Sequence, residues 1–427
     1  MNNIAAIWIL FILWPFSAFI AALRKGFDKH YQAIILAFAF LYGYSVYLYG
    51  GDILDFKEEY HAISLISWHE YIEAISTKLD IFSSNTHFQL YNFTDSKPDI
   101  YAVTLQFVLS RFSDSPRLFW GIVSLIYVKF FLMFLNQVKI NFEITSLKRY
   151  HYIYIAFLVL VVPFYVGVTG VRFWTALFLF VYLLFKFLNT DKSKYIGYMP
   201  LSILIHYSFF VPVSILLVIF VVPLKKWFTI LLVYASIIFF ITTSTTTVFN
   251  YLNKGVSMFE ETSLEESVSS YADQSLVQKK QIKHASTNWY VRLRSDSVFY
   301  LLIFAFLLEF TGIIRLNTNK ITQKLYPYLI VFFAVALIGY NLGSIGRFKN
   351  IFYLLAFARY AIIFPININS KYLKYLAMAF SPILVLYVLV TFRGGFYTID
   401  PLLLVSNPII LFLTRSSESL SEFLIGH

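Results

Sequence analysis

Five arginines stand near the ends of apolar stretches of the sequence, where charged side chains are costly. Arg172, Arg347 and Arg393 each have glycine close by, and Arg292 and Arg294 come shortly before another apolar stretch. Glycine lets the backbone approach a ligand closely, and the guanidinium group is a planar, permanently charged fork that suits phosphate. These residues predict a cavity that binds an anion. For any single arginine, the alternative is a side chain that extends to lipid phosphate at the membrane surface.

Candidate acid–base residues are fewer. Asp52 follows two glycines and Asp55 comes three residues later, so either carboxylate could act as a general base. His206 stands in the run LIHYS and could serve the same purpose. The alternative interpretations are a solvated acidic loop for the carboxylates and a packing position for the histidine.

Several chemical motifs are missing from the sequence. It has no cysteine, so thiolate chemistry and disulfides are excluded. It also lacks a Walker A loop, an HExxH zinc motif and a nucleophile elbow. The spacing of Asp52 and Asp55 differs from the Asp-x-Asp pair of metal-dependent sugar-nucleotide enzymes. The sequence therefore favours chemistry without a metal or a cofactor.

The elements that must position these residues are membrane spans. Apolar residues make up 59% of the 427 and charged residues only 13%, about half the usual share. Stretches of about 20 apolar residues recur along the chain, each long enough to cross a bilayer. We therefore expect an all-α, polytopic transmembrane helical bundle with about 11 full spans plus half-helices, as a single integral membrane domain over residues 1–427. The candidate spans are residues 4–23, 31–49, 117–136, 151–168, 172–188, 227–245, 297–315, 326–342, 348–365, 372–391 and 401–414.

Two apolar segments do not fit a simple span. Residues 99–112 are short and predict a half-helix. Residues 196–224 contain three prolines and could form one long span or a hairpin of two half-helices. Basic loops flank this segment on both sides, which favours the hairpin, with His206 near its apex. Arg359 falls in mid-span and must face protein or water, or else form a buried pair with Glu309 of another span.

The net charge of +11 is distributed in a way that orients the chain rather than indicating nucleic-acid binding. With the N-terminus outside, the cytoplasmic loops carry most of the Lys and Arg and few acids, as the positive-inside rule requires. The five arginines then lie at the outer face. Two long outer segments follow from this orientation, residues 50–99 and 246–296. Within the first, residues 60–79 have helical periodicity and are expected to lie along the membrane surface.

Five short segments carry a family resemblance through their order along the chain. They are Gly51-Asp52 with Tyr60, Lys97-Pro98-Asp99-Ile100-Tyr101, Gly170-Val171-Arg172, Ile205-His206-Tyr207-Ser208 and Ser344-Ile345-Gly346-Arg347-Phe348. Together they resemble the EpsG-type branch of the Wzy polysaccharide polymerases, bacterial membrane enzymes that extend O-antigen, capsule or exopolysaccharide chains. One departure is Phe173, at a position where this family usually carries a polar residue, often Gln.

The resemblance implies a fold similar to that of multi-span membrane glycosyltransferases and a reaction outside the cytoplasm. A growing glycan is transferred from undecaprenyl pyrophosphate onto a lipid-linked oligosaccharide repeat unit, in a metal-independent, inverting step. The expected setting is the bacterial inner membrane, with the site facing the periplasm and with a flippase and a chain-length regulator as partners. The implied roles are catalysis by Asp52 or His206, pyrophosphate binding by Arg172, Arg347 and Arg393, and substrate binding by Tyr60, Arg292 and Arg294.

Three alternatives remain at this stage. A flippase or other transporter of lipid-linked oligosaccharide is disfavoured, because the polar groups cluster at one predicted face and the two halves of the chain do not resemble each other. An O-antigen ligase uses the same donor with a lipid A core acceptor. A transferase that decorates the repeat unit is the third.

Overall fold

The structure is a computed structural model, and helices form most of the chain that it describes. Outside them, Gln89–Leu90 and Phe93–Thr94 form a small antiparallel pair of strands, β1 and β2. The all-α prediction is confirmed for the described part. The described residues are 4–25, 28–47, 52–79, 89–90, 93–94, 99–142, 148–222, 224–242, 288–340, 345–414, 416 and 418–425, with 52–55, 77–79, 89–90, 93–94 and 345 as backbone only.

The helices of the N-terminal half are α1 (Ile4–Leu13), α2 (Pro15–Lys25), α3 (Lys29–Tyr44), α4 (Asp52–Ser64), α5 (Trp68–Leu79), α6 (Tyr101–Ser110), α7 (Arg117–Lys139), α8 (Arg149–Leu160), α9 (Phe164–Thr169) and α10 (Phe173–Thr190). Those that follow are α11 (Lys194–Gly197), α12 (Leu201–Ile205), α13 (Phe210–Val221), α14 (Lys226–Thr242), α15 (Trp289–Phe310), α16 (Lys320–Gly339), α17 (Lys349–Ile363), α18 (Lys371–Phe396), α19 (Leu402–Val405), α20 (Pro408–Leu413) and α21 (Leu420–Ile425). Short 3₁₀ turns cover Tyr207–Phe209 and Ile345–Phe348.

Five helical segments in the described part are long and apolar enough to cross a membrane, which is compatible with a membrane-spanning protein. The expected count of about 11 spans is not confirmed. The five segments are Arg117–Lys139, Arg149–Thr169, Phe173–Thr190, Lys320–Gly339 and Lys371–Phe396.

Contacts between helix termini show which ends lie together. We call one side of the bundle the lysine end, after the helix termini at Lys29, Lys139, Lys320 and Lys371. Its contacts are Gln32 with Asn136, Asn189 with Gln137, Asp191 with Lys324, His151 with the Ala361 carbonyl, and Asn317 with Asn367.

The opposite side is the arginine end, after the helix termini at Arg117, Arg172, Arg347 and Arg393. Its contacts are the Tyr47 amide with the Thr398 carbonyl, Arg117 with the Tyr44 carbonyl, the ring of Phe173 with that of Phe348, and Arg393 with Tyr290. The arginines singled out in the sequence therefore share one end of the bundle.

The segment 194–221 is a hairpin, as the charge pattern predicted. The ring of Phe209 packs against Phe180, toward the arginine end of α10, whereas Phe220 packs against Phe187, near the lysine end of the same helix. The chain therefore enters from the lysine end and returns to it. His206 lies at the apex with an extended backbone, between α12 and the following 3₁₀ turn.

The predicted span 401–414 is wrong. The segment consists of α19 and α20, which are too short to cross a bilayer, and the chain stays at the arginine end. The Leu420 amide donates to the Ile399 carbonyl at 2.8 Å, and the Ser416 amide donates to Asp400 at 3.3 Å. The first helix ends at Val405, and Asn407 caps the second, which interrupts the apolar run.

Other predictions need adjustment at their boundaries. The expected helix over 60–79 is two helices, because Ser67 and Glu70 form reciprocal side-chain caps that start α5. Residues 99–112 contain the predicted half-helix, α6. The predicted span 297–315 begins earlier, at Trp289, so that Arg292 and Arg294 lie inside α15. Most of the predicted outer segment 246–296 lies outside the described residues.

Helix packing in the core is close where small residues permit it. Helices α3 and α7 meet at Gly43, where an added Cβ would lie 2.2 Å from the Trp120 carbonyl oxygen. Nearer the lysine end, Arg359 forms the expected buried pair with Glu309, with a distance of 2.5 Å between Nη1 and Oε2. Their side chains are 6% and 5% exposed, so Arg359 faces protein rather than lipid.

Candidate functional site at the arginine end

Two arginines at this end are engaged by backbone carbonyls. Arg111 donates to the Ile66 carbonyl at 2.6 Å, and Arg117 donates to the carbonyls of Tyr44 at 3.1 Å and Leu411 at 2.9 Å. Helix ends leave carbonyls without intrahelical donors, and a guanidinium group can satisfy several at once. These two arginines therefore hold chain segments together.

Arg172 is paired with a carboxylate. Its Nη1 lies 3.1 Å from Oδ2 of Asp99, which is 2% exposed. The other oxygen of Asp99 accepts a hydrogen bond from the Tyr207 amide at 2.5 Å. Asp99 thus joins the start of α10 to the apex of the 194–221 hairpin, and it fixes the direction of the Arg172 side chain. Asp99 was not among the predicted site residues.

His206 has one ring nitrogen engaged within the hairpin apex. Its Nδ1 accepts from the Ser208 amide at 3.2 Å and lies 2.9 Å from the Ser208 hydroxyl oxygen. Because Nδ1 is an acceptor, the neutral ring carries its proton on Nε2 and presents a donor there. This geometry gives His206 a capping role, and its action as a base remains a prediction.

Phe173 brings three of the predicted site residues together. Its ring meets the edge of the His206 ring at 5.5 Å, and the Arg347 guanidinium lies 5.6 Å from its centroid. Arg172 precedes it in the chain. Phe173 itself is buried, and it also packs against Phe348 at 5.9 Å. An aromatic ring at this position supports Arg347 by a cation–π contact, which a glutamine side chain would not provide.

Arg294 differs from the other arginines of this end. Its guanidinium lies 4.9 Å from the Tyr387 ring centroid, and the Tyr165 hydroxyl lies beside it. Two of its nitrogens, Nε and Nη1, are buried without a hydrogen-bond partner in the described part of the chain, as is Nε of Arg292. Buried donors of this kind require water or an anion.

Lys349, which was not among the predicted site residues, lies near Arg294. Lys349 begins α17, and its charged neighbours are Asp296 and Arg294. Its ammonium lies 5.1 Å from the Tyr340 ring, while the Tyr340 hydroxyl donates to Asp296 at 3.0 Å. Ionisable residues inside an apolar stretch are candidates for a functional site, and Asp296 and Lys349 are both of this kind, so the sequence could have indicated them.

Arg393 lies nearby on α18, with its guanidinium 5.7 Å from the Tyr290 ring. The glycine that follows it has a clear packing purpose. An added Cβ at Gly394 would lie 2.3 Å from the Tyr165 hydroxyl oxygen, so that only glycine lets α9 and α18 approach here. Gly394, next to Arg393, thus leaves room for Tyr165, which lies beside Arg294.

Two predicted residues are not brought into this arrangement. Tyr60 is fully buried and its hydroxyl donates to the Ser113 carbonyl at 2.6 Å, while burial raises its pKa to about 12. Tyr60 therefore has a packing role. Asp52 is the first residue of α4, and its side chain lies outside the described residues.

The arrangement is a candidate anion site with two parts. Arg172, His206 and Arg347 surround Phe173, and Arg294 lies with Lys349 beside tyrosine rings. Arg347 and Lys349 stand two residues apart on one turn, which connects the parts. Comparison of the chain with protein-family models, with curated proteins and with solved structures gave no match.

Proposed function

We propose that the protein is a bacterial polysaccharide polymerase, which transfers a growing glycan from undecaprenyl pyrophosphate onto a lipid-linked oligosaccharide repeat unit. The proposed site is the arginine end, facing outward from the inner membrane. The observation that carries the proposal is Arg294, whose guanidinium lies next to Lys349 and has two buried nitrogens without a hydrogen-bond partner among the described residues. An anion with several oxygens, such as pyrophosphate, would satisfy these donors.

The proposed reaction is a single displacement at the anomeric carbon. An acceptor hydroxyl oxygen attacks that carbon, and the bond from the carbon to the pyrophosphate oxygen breaks. The electron pair of that bond stays on the departing pyrophosphate, and the hydroxyl proton passes to a base. Fixed cations stabilise the developing charge, so the chain's own residues suffice for this step.

The contacts support a division of roles among the residues. Arg294 and Lys349 are proposed to hold the pyrophosphate, with Arg347 and Arg393 at the exposed rim. Arg172 is already paired with Asp99, so its proposed role is to position the hairpin apex and the start of α10. Asp52 is the proposed base, because the engaged Nδ1 of His206 favours donation rather than proton acceptance.

The distribution of polar groups favours an enzyme over a flippase. A flippase needs a polar passage between the two ends of the bundle. Between Lys349 and Arg359 on α17 lies Phe352, which packs with Phe333 at 5.5 Å, and Phe333 packs with Phe306 at 4.3 Å. This aromatic layer separates the arginine end from the Glu309–Arg359 pair.

Deletion of the gene in its host tests the proposal. Cells lacking the protein should display single repeat units on the surface without long chains, and the wild-type gene should restore the chains. A gene with Arg294→Gln, expressed at the same protein level, should not restore the long chains. A gene with Arg149→Gln, which changes an exposed residue at the lysine end, should restore them.

The same experiment separates the rival functions. Loss of a ligase leaves long chains on the lipid carrier, and loss of a flippase removes single-repeat glycan from the surface as well. Long chains that persist on the surface of the deletion strain would exclude the polymerase.

A further inference from the structure

Two cavities lie side by side at the lysine end, remote from the arginine cluster. One has a volume of about 550 Å³ and the other about 370 Å³. Tyr326 lines both of them, and they flank the end of α15, with Phe310 and Thr311 facing the larger cavity and Gly312 facing the smaller. The two cavities together have the size of a small-ligand site.

The larger cavity is apolar with a charged mouth. Its walls include Leu224, Ile230, Phe310 and Ile330, contributed by α14, α15, α16 and the turn before α14. Lys226, an exposed residue at the start of α14, lines it as well. Apolar walls with one cation at the rim suit a hydrocarbon chain that carries an anionic group.

Several polar and charged side chains line the smaller cavity, alongside apolar ones such as Ile314 and Leu316. Arg315, Thr318 and Gln323 line it together with the Glu309–Arg359 pair. That pair is nine-tenths buried, and Nε of Arg359 has no hydrogen-bond partner among the described residues.

The backbone of α16 adds a further polar group there. Pro327 lies inside this helix and lacks an amide hydrogen, so the carbonyl of Gln323 loses its usual helical donor. A hydroxylated head group finds donors and acceptors in this cavity.

Charge selects the class of ligand. Lys320 and Lys324 at this end are paired with Asp191, whereas Lys226 and Arg315 are exposed, and no ion pair involves them in the described part of the chain. Two cations at the mouths of adjoining cavities favour an anionic lipid over a zwitterionic one.

We propose that the two cavities bind one anionic phospholipid of the phosphatidylglycerol type. One of its two acyl chains lies in the larger cavity between α14 and α16. The head group occupies the smaller one, with its phosphate at Arg315 and its hydroxyls at Thr318 and Gln323. Lys226 adds positive charge at the mouth. This site is independent of the glycan chemistry proposed for the arginine end.

Lipid binding to the purified full-length protein in detergent tests the site. Native mass spectrometry and thermal unfolding would be measured with added phosphatidylglycerol and with phosphatidylcholine of the same chains. We expect saturable binding and a rise in Tm with phosphatidylglycerol only. The double change Lys226→Gln with Arg315→Gln should weaken the apparent affinity about tenfold or more.

A matched control is the pair Lys371→Gln with Arg149→Gln, which removes the same charges at the same end but outside both cavities. It should bind phosphatidylglycerol as the wild type does. Equal binding of phosphatidylcholine, an equal loss in the control, or full binding by the cavity variant would each overturn the proposal.

Discussion

Asp99 forms an ion pair with Arg172 at 3.1 Å and accepts the Tyr207 amide with its second oxygen. One carboxylate thereby joins three separate segments at the arginine end. Without it, a permanently charged guanidinium would lie partly buried without a counter-ion, which is costly. The pair therefore organises the proposed site rather than binding substrate directly.

Asp99→Asn should lower the stability of the purified protein. The asparagine can still accept from Tyr207, but its amide group no longer neutralises Arg172. Breaking a fully buried pair costs about 3–5 kcal/mol, and partial exposure of Arg172 reduces that figure. Arg172→Gln should also lower Tm, and the double variant should lose less than the sum of the single losses. Additive losses in a thermal-unfolding cycle would show that the pair is not coupled.

Arg294→Gln should reduce chain extension by ~10²–10³-fold with a smaller loss of Tm than Arg111→Gln, because two buried nitrogens of Arg294 have no hydrogen-bond partner among the described residues. Arg111→Gln provides the contrast. Arg111 donates to a backbone carbonyl, so its loss should lower Tm while the activity per folded molecule is retained. Glycan length and thermal unfolding, measured on the same preparations, distinguish the two. An Arg294 variant with wild-type chain length would remove this residue from the site.

Gly394→Ala should disturb the proposed site through Tyr165. The added Cβ would collide with the tyrosine hydroxyl, so we expect a lower Tm and shorter glycans, with recovery of Tm when Tyr165→Ala is added. Gly197→Ala is the matched control, because no atom lies within 4 Å of its added Cβ. Equal effects of the two glycine substitutions would contradict the packing argument.

Glu309→Gln should destabilise the protein by about 3–5 kcal/mol, because Arg359 remains buried without its counter-ion. Replacing both partners, Glu309→Leu with Arg359→Met, should restore most of the loss. Glycan extension per folded molecule should be unchanged in the double variant, since the pair lies beyond the aromatic layer. A double variant that folds well but fails to extend chains would give the pair a functional role.

The sequence contains no cysteine, so single introduced cysteines report topology cleanly. Cysteines in place of Tyr397 and Thr414 should label from outside intact cells, and one in place of Thr318 should not. All three positions are exposed in the structure. Protection of Thr414→Cys together with Thr318→Cys, while Tyr397→Cys is still labelled, would reinstate the span 401–414. Reversal at all three positions would place the arginine end in the cytoplasm.

Features with a period or a charge bias were predictable from the sequence. The hairpin over 194–221 followed from basic loops on both of its sides, and the shared end of the arginines followed from the alternation of helix direction. Local capping chemistry was also present but overlooked. Asn407 before a proline and Ser67 three residues before Glu70 are helix-start patterns, and each interrupts an element predicted as continuous.

Long-range partners were not predictable in the same way. Asp99 lies 73 positions before Arg172, and Tyr165 meets Gly394 across the bundle. Such contacts depend on how the helices pack, which local composition does not specify. Phe173 is an example. It departs from the polar residue that is usual in the family which the sequence resembles, and in the structure its ring contacts both Arg347 and His206.

We propose above all that this chain joins lipid-linked repeat units. The most direct measurement is a reconstitution of the purified full-length protein in liposomes with a synthetic undecaprenyl-pyrophosphate repeat unit. We predict a ladder of glycans of increasing length, one undecaprenyl pyrophosphate released for each linkage, and no ladder with Arg294→Gln. The claim would be contradicted if a repeat unit built from the sugars of the protein's own host stayed unextended. It would also be contradicted if the repeat unit only crossed the bilayer.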